Sequence, residues 1–274
     1  MQLSPEITDN LAARTIDRVE SHLHLGADAQ VDDRNVIITP MHPERTDPFL
    51  LLSEDWFSSS GFDWHPHRGV ETVTFVLDGV LEHGDNLGHM GTLEPGDVQW
   101  MTAGRGIIHR EHAFRNDHTH LLQLWVNLPA ERKFVAPTYQ DLLAAQRPVV
   151  ELDGVRVDVI SGAAAGITGR ATNQWPITAA ILTFEPNTHI DHMIPAHDRA
   201  FVYVLRGEAT IAMRRVNEGQ IAWSEPLAGP LDADAWSTLS IATGRGDTHT
   251  VAMVYSGRPI GQPVVMGGPF VMNT

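Results

Sequence analysis

The sequence predicts an all-β protein made of two similar units, and three observations predict it. Short apolar runs alternate with turn residues along most of the chain, the pattern of antiparallel strands. That pattern begins afresh after Gln146-Arg147-Pro148. Phe75-Val-Leu-Asp-Gly79 is echoed by Tyr203-Val-Leu-Arg-Gly207. A length of 274 residues fits about two domains, at roughly 100–200 residues each. The expected division is 1–147 and 148–274, two β-barrel units packed on one another with few short helices.

The first half supports this element by element. Residues 10–24 have weak helical spacing at Leu11, Ile16 and Val19, and an edge strand fits equally well. Asn35–Thr39 and Phe49–Leu52 are short strands separated by Pro40, Pro43 and Asp47-Pro48. Glu71–Leu81 reads as a strand, a turn at Asp78-Gly79 and a new strand. Glu94-Pro95-Gly96-Asp97 is a turn leading into the strand Val98–Met101. Ile107–His112 and Leu121–Leu128 are further strands, the latter buried. Thr138 with Asp141 resembles a short capping box, so a helical turn or two is expected over 139–146. Beyond Pro148 strands recur at 149–152, 155–160, 177–184, 200–205, 209–213, 237–241 and 249–255.

Composition excludes several classes of function. With no cysteine there are no disulfides, thiolate ligands or cysteine nucleophiles, so any metal here has nitrogen and oxygen ligands. A formal charge of −15 argues against direct, phosphate-driven nucleic-acid binding. Lys133 is the sole lysine, which rules out a Walker A loop and a Schiff-base lysine elsewhere. Glu6, Asp9 and Arg14 stand where a signal peptide would need an apolar core. No apolar run approaches about 18 residues, and a cytoplasmic, monomeric protein is expected. Neither a His-Glu-x-x-His helix nor a Gly-x-Ser-x-Gly elbow is present.

The chemistry concentrates in residues 61–112, which hold six of the fifteen histidines. On a strand, side chains at i and i+2 share a face. His65 and His67 therefore aim together, and so do His109 and Glu111 about forty residues on. Three imidazoles and one carboxylate converging on one metal ion is the expected arrangement. Glu71 is the rival carboxylate, since it shares parity with His67 along the strand, and spacing alone does not separate it from Glu111. His112 falls on the opposite face from Glu111 and reads as structural. His118 and His120 share a face but precede a buried strand. His83, His89, His189, His192 and His197 read as surface residues. Phe62, Trp64, Trp100, Met101 and Phe114 are either ordinary barrel core or an apolar wall for an aromatic substrate beside the metal. Aligning the halves on Gly79 and Gly207 sets Met193 opposite His65, Pro195 opposite His67 and Arg199 opposite Glu71. The second unit thus reads as a copy that lost its ligands.

HPHRGVETVTFVLDG, LEPGDVQWMTAGRGIIHREH and LLQLWVNLPAERK with PTYQDL resemble the pirin family of bicupins. The ending GQPVVMGGPFVMNT and Asp47-Pro48-Phe49 are similar to it as well. The resemblance implies two cupin β-barrels (double-stranded β-helix, or jelly-roll), with metal in the first only and a C-terminal tail returning to it. Carried over motif by motif, the family's ligands fall on His65, His67, His109 and Glu111. It implies one divalent ion, iron first, with Mn, Ni, Co, Cu or Zn as alternatives. It further implies an oxidoreductase of the quercetin 2,3-dioxygenase type, opening the central ring of a flavonol with dioxygen and loss of carbon monoxide. Glu111 would serve as the base that takes the flavonol proton. Two alternatives come with it. One is a metal- or redox-sensing cofactor that binds a regulatory protein; the other is a dioxygenase acting on another small aromatic.

Overall fold

The computed structural model of the chain describes residues 11–58, 61–246 and 249–274. Strands dominate it, and the helical pieces among the described residues are 3-10 turns of three residues each. Contacts divide the chain into two compact units. The first is His22–Gln146 with the tail Ile260–Thr274; the second is Arg147–Pro259 with the described residues up to Ser21.

The opening segment therefore belongs with the second unit rather than with the half that holds the histidine motif. It forms two short strands and no helix, β1 (Ala12–Ala13) and β2 (Arg18–Ser21). The cause is pairing. β2 lies antiparallel to Gln220–Ser224 and β1 lies parallel to Trp236–Ala242. Between them the buried Arg14 guanidinium donates to Ser237 Oγ (2.7 Å) and to the carbonyls of Pro195 (2.7 Å) and Asp198 (3.0 Å).

The first unit has two sheets. Its strands are β3 (Leu23–His24), β4 (Asp33–Ile38), β5 (Phe49–Phe57), β6 (Gly61–His67), β7 (Val70–Gly79), β8 (Leu81–Asp85), β9 (Met90–Leu93), β10 (Val98–Thr102), β11 (Ile107–Ala113), β12 (Thr119–Asn127) and β13 (Thr138–Leu142). One sheet has the order β13-β10-β7-β12-β5-β4-β3, the other β6-β11-β8-β9. The chain crosses between them at two glycines. Gly69 has φ +72°, and a Cβ there would stand 2.0 Å from the Val271 carbonyl oxygen. Gly79 has φ +73°, and a Cβ there would meet the His118 carbonyl oxygen at 1.9 Å. Only glycine fits either corner. The segment 138–142 is strand β13, paired along its length with β10, and only Ala144–Gln146 makes a 3-10 turn. Pairing with the exposed edge of β10 overrides the local capping signal.

The second unit has the same layout. One sheet runs Val149–Leu152, Val155–Ser161, Ile177–Phe184, Thr250–Gly257, Arg199–Arg206, Gln220–Ser224, β2. The other pairs His189–Pro195 with Trp236–Ala242, which also pairs Glu208–Ile211. Its core is apolar and includes Val157, Leu182, Val202, Ala222, Leu239 and Val254. No helix among the described residues is long and apolar enough to cross a membrane.

Candidate metal centre

The site is built on β6 and β11, which pair so that His109 faces His65 and Ile107 faces His67. Residues paired across a ladder share a face, so i, i+2 spacing on each strand delivers all three imidazoles inward. A bulge in β6 at Asp63–Trp64 shifts the register between His109 and Glu111. The bulge has a use. It places the Asp63 carbonyl oxygen 2.7 Å from His65 Nδ1. A carbonyl only accepts, so Nδ1 carries the hydrogen and the Nε2 lone pair is aimed inward.

The three rings crowd one another. Ring centroids are 4.3 Å apart for His65–His109 and 5.0 Å for both other pairs. His65 Nε2 lies 3.1 Å from His67 Nε2. One nitrogen from each of the three lies within 4.8 Å of the other two. His67 and His109 are almost fully buried. Burial first, and the adjoining imidazoles second, push both pKa values down to about 3. Both rings are therefore neutral near pH 7, the form that binds a metal. His67 Nδ1 and both His109 nitrogens have no hydrogen-bond partner in the protein, although buried imidazoles are normally satisfied. Two buried, neutral imidazoles with unpartnered nitrogens, and a third whose Nε2 is aimed at them, fit a transition-metal ion such as Fe, Ni, Cu or Zn.

Glu111 is beside this group, with Oε2 4.0 Å from His109 Nε2. Its carboxylate is buried and held from the other sheet. Gln123 Nε2 donates to Oε2 (2.9 Å) and Oε1 (3.1 Å), and Thr74 Oγ1 donates to Oε1 (3.3 Å). Trp125 Nε1 donates to Gln123 Oε1 (3.1 Å). The Trp125 ring meets His67 edge to face, 5.0 Å between centroids. A continuous run of contacts thus leads from Glu111 through Gln123 and Trp125 to His67. These partners hold the carboxylate and the imidazole in place. Gln123 and Trp125 were hidden in the run LLQLWVNL. The available signal was one amide at strand parity among leucines.

Glu71 is turned away from this group. The parity argument that tied it to His67 fails because Arg68-Gly69 separates the two strands and Gly69 reverses the backbone. On β7, Thr74 faces Glu111, and Glu71 has the opposite parity. There it accepts from Thr102 Oγ1 at 2.6 Å.

The remaining residues sort in the same way. Trp100 pairs with Val73 and so takes the outward parity of β7, within the packed core. Met101 joins a core cluster with Leu50, Val70 and Ile107. Trp64 is exposed, with the Arg110 guanidinium 5.5 Å from its ring centroid. Phe62 packs edge-on to Phe57 (5.8 Å) and near His65 (5.9 Å), and Phe114 is half-buried beside Arg115. His118 is an exposed partner of Asp78 and Asp117, and His120 stacks on Trp56 and bonds Glu54. Two histidines expected at the surface are buried: His83, at 2% exposure, and His192, at 3%. Both sit on strand positions whose parity turns inward, which nearby turn residues do not reveal.

The Pirin family model matches residues 20–126, and the Pirin C-terminal cupin domain model matches residues 179–274. The chain belongs to the pirin family. Pirin-1 of Arabidopsis thaliana is 39% identical to this pirin, over 86% of this chain and 81% of its own length. The crystal structure of GK1651 from Geobacillus kaustophilus is 35% identical with a TM-score of 0.85, covering 93% of this chain and 100% of that one. A quercetin 2,3-dioxygenase from Acinetobacter baumannii is 28% identical with a TM-score of 0.83, covering 96% and 93%. Two cupin domains in one chain are thereby established for this pirin, and its His65–His67–His109 group could hold a metal ion.

Proposed function

We propose that this pirin is a metal-dependent dioxygenase, iron first among the candidate metals, that opens the central ring of a flavonol such as quercetin with dioxygen and release of carbon monoxide. The observation that supports it most is the converging imidazole trio, with His67 and His109 buried and neutral, and a clamped carboxylate 4.0 Å from His109. Its likeness to a quercetin 2,3-dioxygenase over nearly the whole chain supports the choice of substrate. His65, His67 and His109 would hold the ion, with Glu111 as the fourth ligand. A bound ion would act as a Lewis acid on the substrate hydroxyl and give access to dioxygen.

The protein's own part is to place a base and exclude water. Glu111 is the base in this reading. Its carboxylate is 1% exposed and held away from solvent by Gln123 and Thr74. From that position it would take the proton of the flavonol hydroxyl. Trp125 braces both Gln123 and His67, which fixes the base relative to the imidazoles.

The test is metal loading without dioxygen, then addition of quercetin and dioxygen. Loss of the flavonol absorbance with release of carbon monoxide is expected. No loss with Fe, Mn, Ni, Co or Cu would defeat the proposal and favour a metal-sensing binding protein.

A further inference from the structure

A second polar group on the inward face of the first unit takes no part in the metal centre. His83 on β8 is the cross-strand partner of Glu111 on β11, so it shares the inward face and stands directly beside the base. It lies on the β8 side of Glu111, away from β6, which carries His65 and His67. Neither His83 nitrogen has a hydrogen-bond partner. Its ring lies 5.6 Å from that of Tyr139, at 30° between planes. The Tyr139 hydroxyl is buried and without a partner too. Asp141, two residues along β13, has Oδ1 4.0 Å from His83 Nε2 and accepts from Gln99 Nε2 at 2.8 Å.

The sheet is shaped around this histidine. Gly91 is its partner on β9, and a Cβ at that position would stand 2.9 Å from His83 Nε2. Any larger residue would displace the ring. An ordinary core histidine bonds a backbone carbonyl or a hydroxyl. Here two unpartnered polar side chains converge beside a candidate base. The donors and acceptors also select a ligand class. The two imidazole nitrogens offer hydrogen-bonding positions to a ligand, a tyrosine hydroxyl both donates and accepts, and Asp141 only accepts. Glu111 and Asp141 flank the group, so an anion is repelled. A neutral group that both donates and accepts, a ring hydroxyl, satisfies all three.

We propose that His83 and Tyr139, with Asp141 at the rim, form a subsite that recognises hydroxyl groups on an aromatic ligand whose other end lies at the metal centre. Its choice of flavonol probes rests on the dioxygenase reading. A substrate ring seated here carries its hydroxyls toward β13, with Glu111 between them and the imidazole trio. A site built to bond a hydroxyl discriminates strongly against the analogue that lacks it, because its polar groups are then left unpaired.

Binding is measured by calorimetry on metal-loaded protein without dioxygen. The probes are quercetin and the flavonol of the same skeleton with no hydroxyl on the pendant ring. Wild type is expected to prefer quercetin by about tenfold. In Tyr139→Phe and in His83→Gln that preference falls to about twofold or less, with bound metal unchanged. Tyr139→Phe removes only an unpartnered hydroxyl, so its fold is retained. An unchanged preference in Tyr139→Phe, or none in wild type, overturns the subsite. If neither flavonol binds wild type, the flavonol reading fails separately. Resorcinol, whose hydroxyls cannot chelate a metal together, then decides the subsite. Weaker binding to Tyr139→Phe than to wild type supports it; equal binding or none overturns it.

Discussion

The two units share one strand layout and differ in what points inward. In the first, a polar row crosses the large sheet: Ser53, Gln123, Thr74, Gln99 and Asp141 are successive cross-strand partners. In the second, the corresponding row is Ala180, Val254, Val202, Ala222 and Val19. All but Val19 belong to the apolar core, and Val19 packs against it. The small sheets differ in the same sense. Opposite His65–His109 in kind stands the pair His192–Leu239, flanked by Ile190–Ile241. Backbone ladders satisfy the main chain whichever side chains they carry. The inward residues alone decide whether the interior is a site or a core. The polar row forgoes apolar burial, worth about 25 cal/mol per Å², and holds Glu111 instead.

The comparison can be broken most sharply at Glu111. Glu111→Gln is expected to keep its metal while turnover of quercetin falls by about 10²- to 10⁴-fold, read by steady-state kinetics beside metal analysis. A variant with full turnover would remove the base from the account. Next comes the reverse exchange in the second unit. Val254→Gln buries an amide among Ala180, Val202 and Ala222, and should cost about 2 to 4 kcal/mol in urea unfolding. A neutral result would mean that the second interior tolerates polarity as the first does.

His192 gives a pH-dependent test of the same contrast. Burial lowers its pKa to about 4, against about 6.5 in the unfolded chain. Between pH 6.5 and 4 the unfolded state binds the extra proton, so stability is lost as pH falls through that window. The loss should reach roughly 3 kcal/mol. His192→Leu should remove this component, so that its urea midpoint falls less than wild type's between pH 7 and pH 4.5. Equal acid sensitivity in both would show that His192 is not held neutral. The smallest effect belongs to Thr74→Val. Its 3.3 Å bond to Glu111 is long, and the substitution should cost about 1 kcal/mol or less in stability.

Much of this was readable from the sequence, and the exceptions share a cause. Strands bounded by Pro, Gly and Asp give the all-β class, and i, i+2 spacing gives His65, His67 and His109. Parity, however, carries only as far as an unbroken strand. It fails across Arg68-Gly69, which is why Glu71 and Glu111 were indistinguishable. It also misplaces Met193 and Pro195. The inward face of their strand is Ile190, His192 and Ile194, because the link from Pro195 to Arg199 differs in length from that between His67 and Val70. Pairing partners distant in sequence were the other gap. Nothing local shows that Arg18–Ser21 completes a sheet some two hundred residues away, or that β10 draws 138–142 into a strand. His83 and Gln123 needed both kinds of knowledge, since each matters through its cross-strand neighbour.

The central claim is that the inward histidines of the first unit, and not the lone one of the second, hold a metal ion. Metal analysis of freshly purified wild type, His109→Ala and His192→Ala tests it most directly. About one equivalent in wild type and in His192→Ala is predicted, with less than about a tenth remaining in His109→Ala. Full metal content in His109→Ala, or its loss in His192→Ala, would contradict the account.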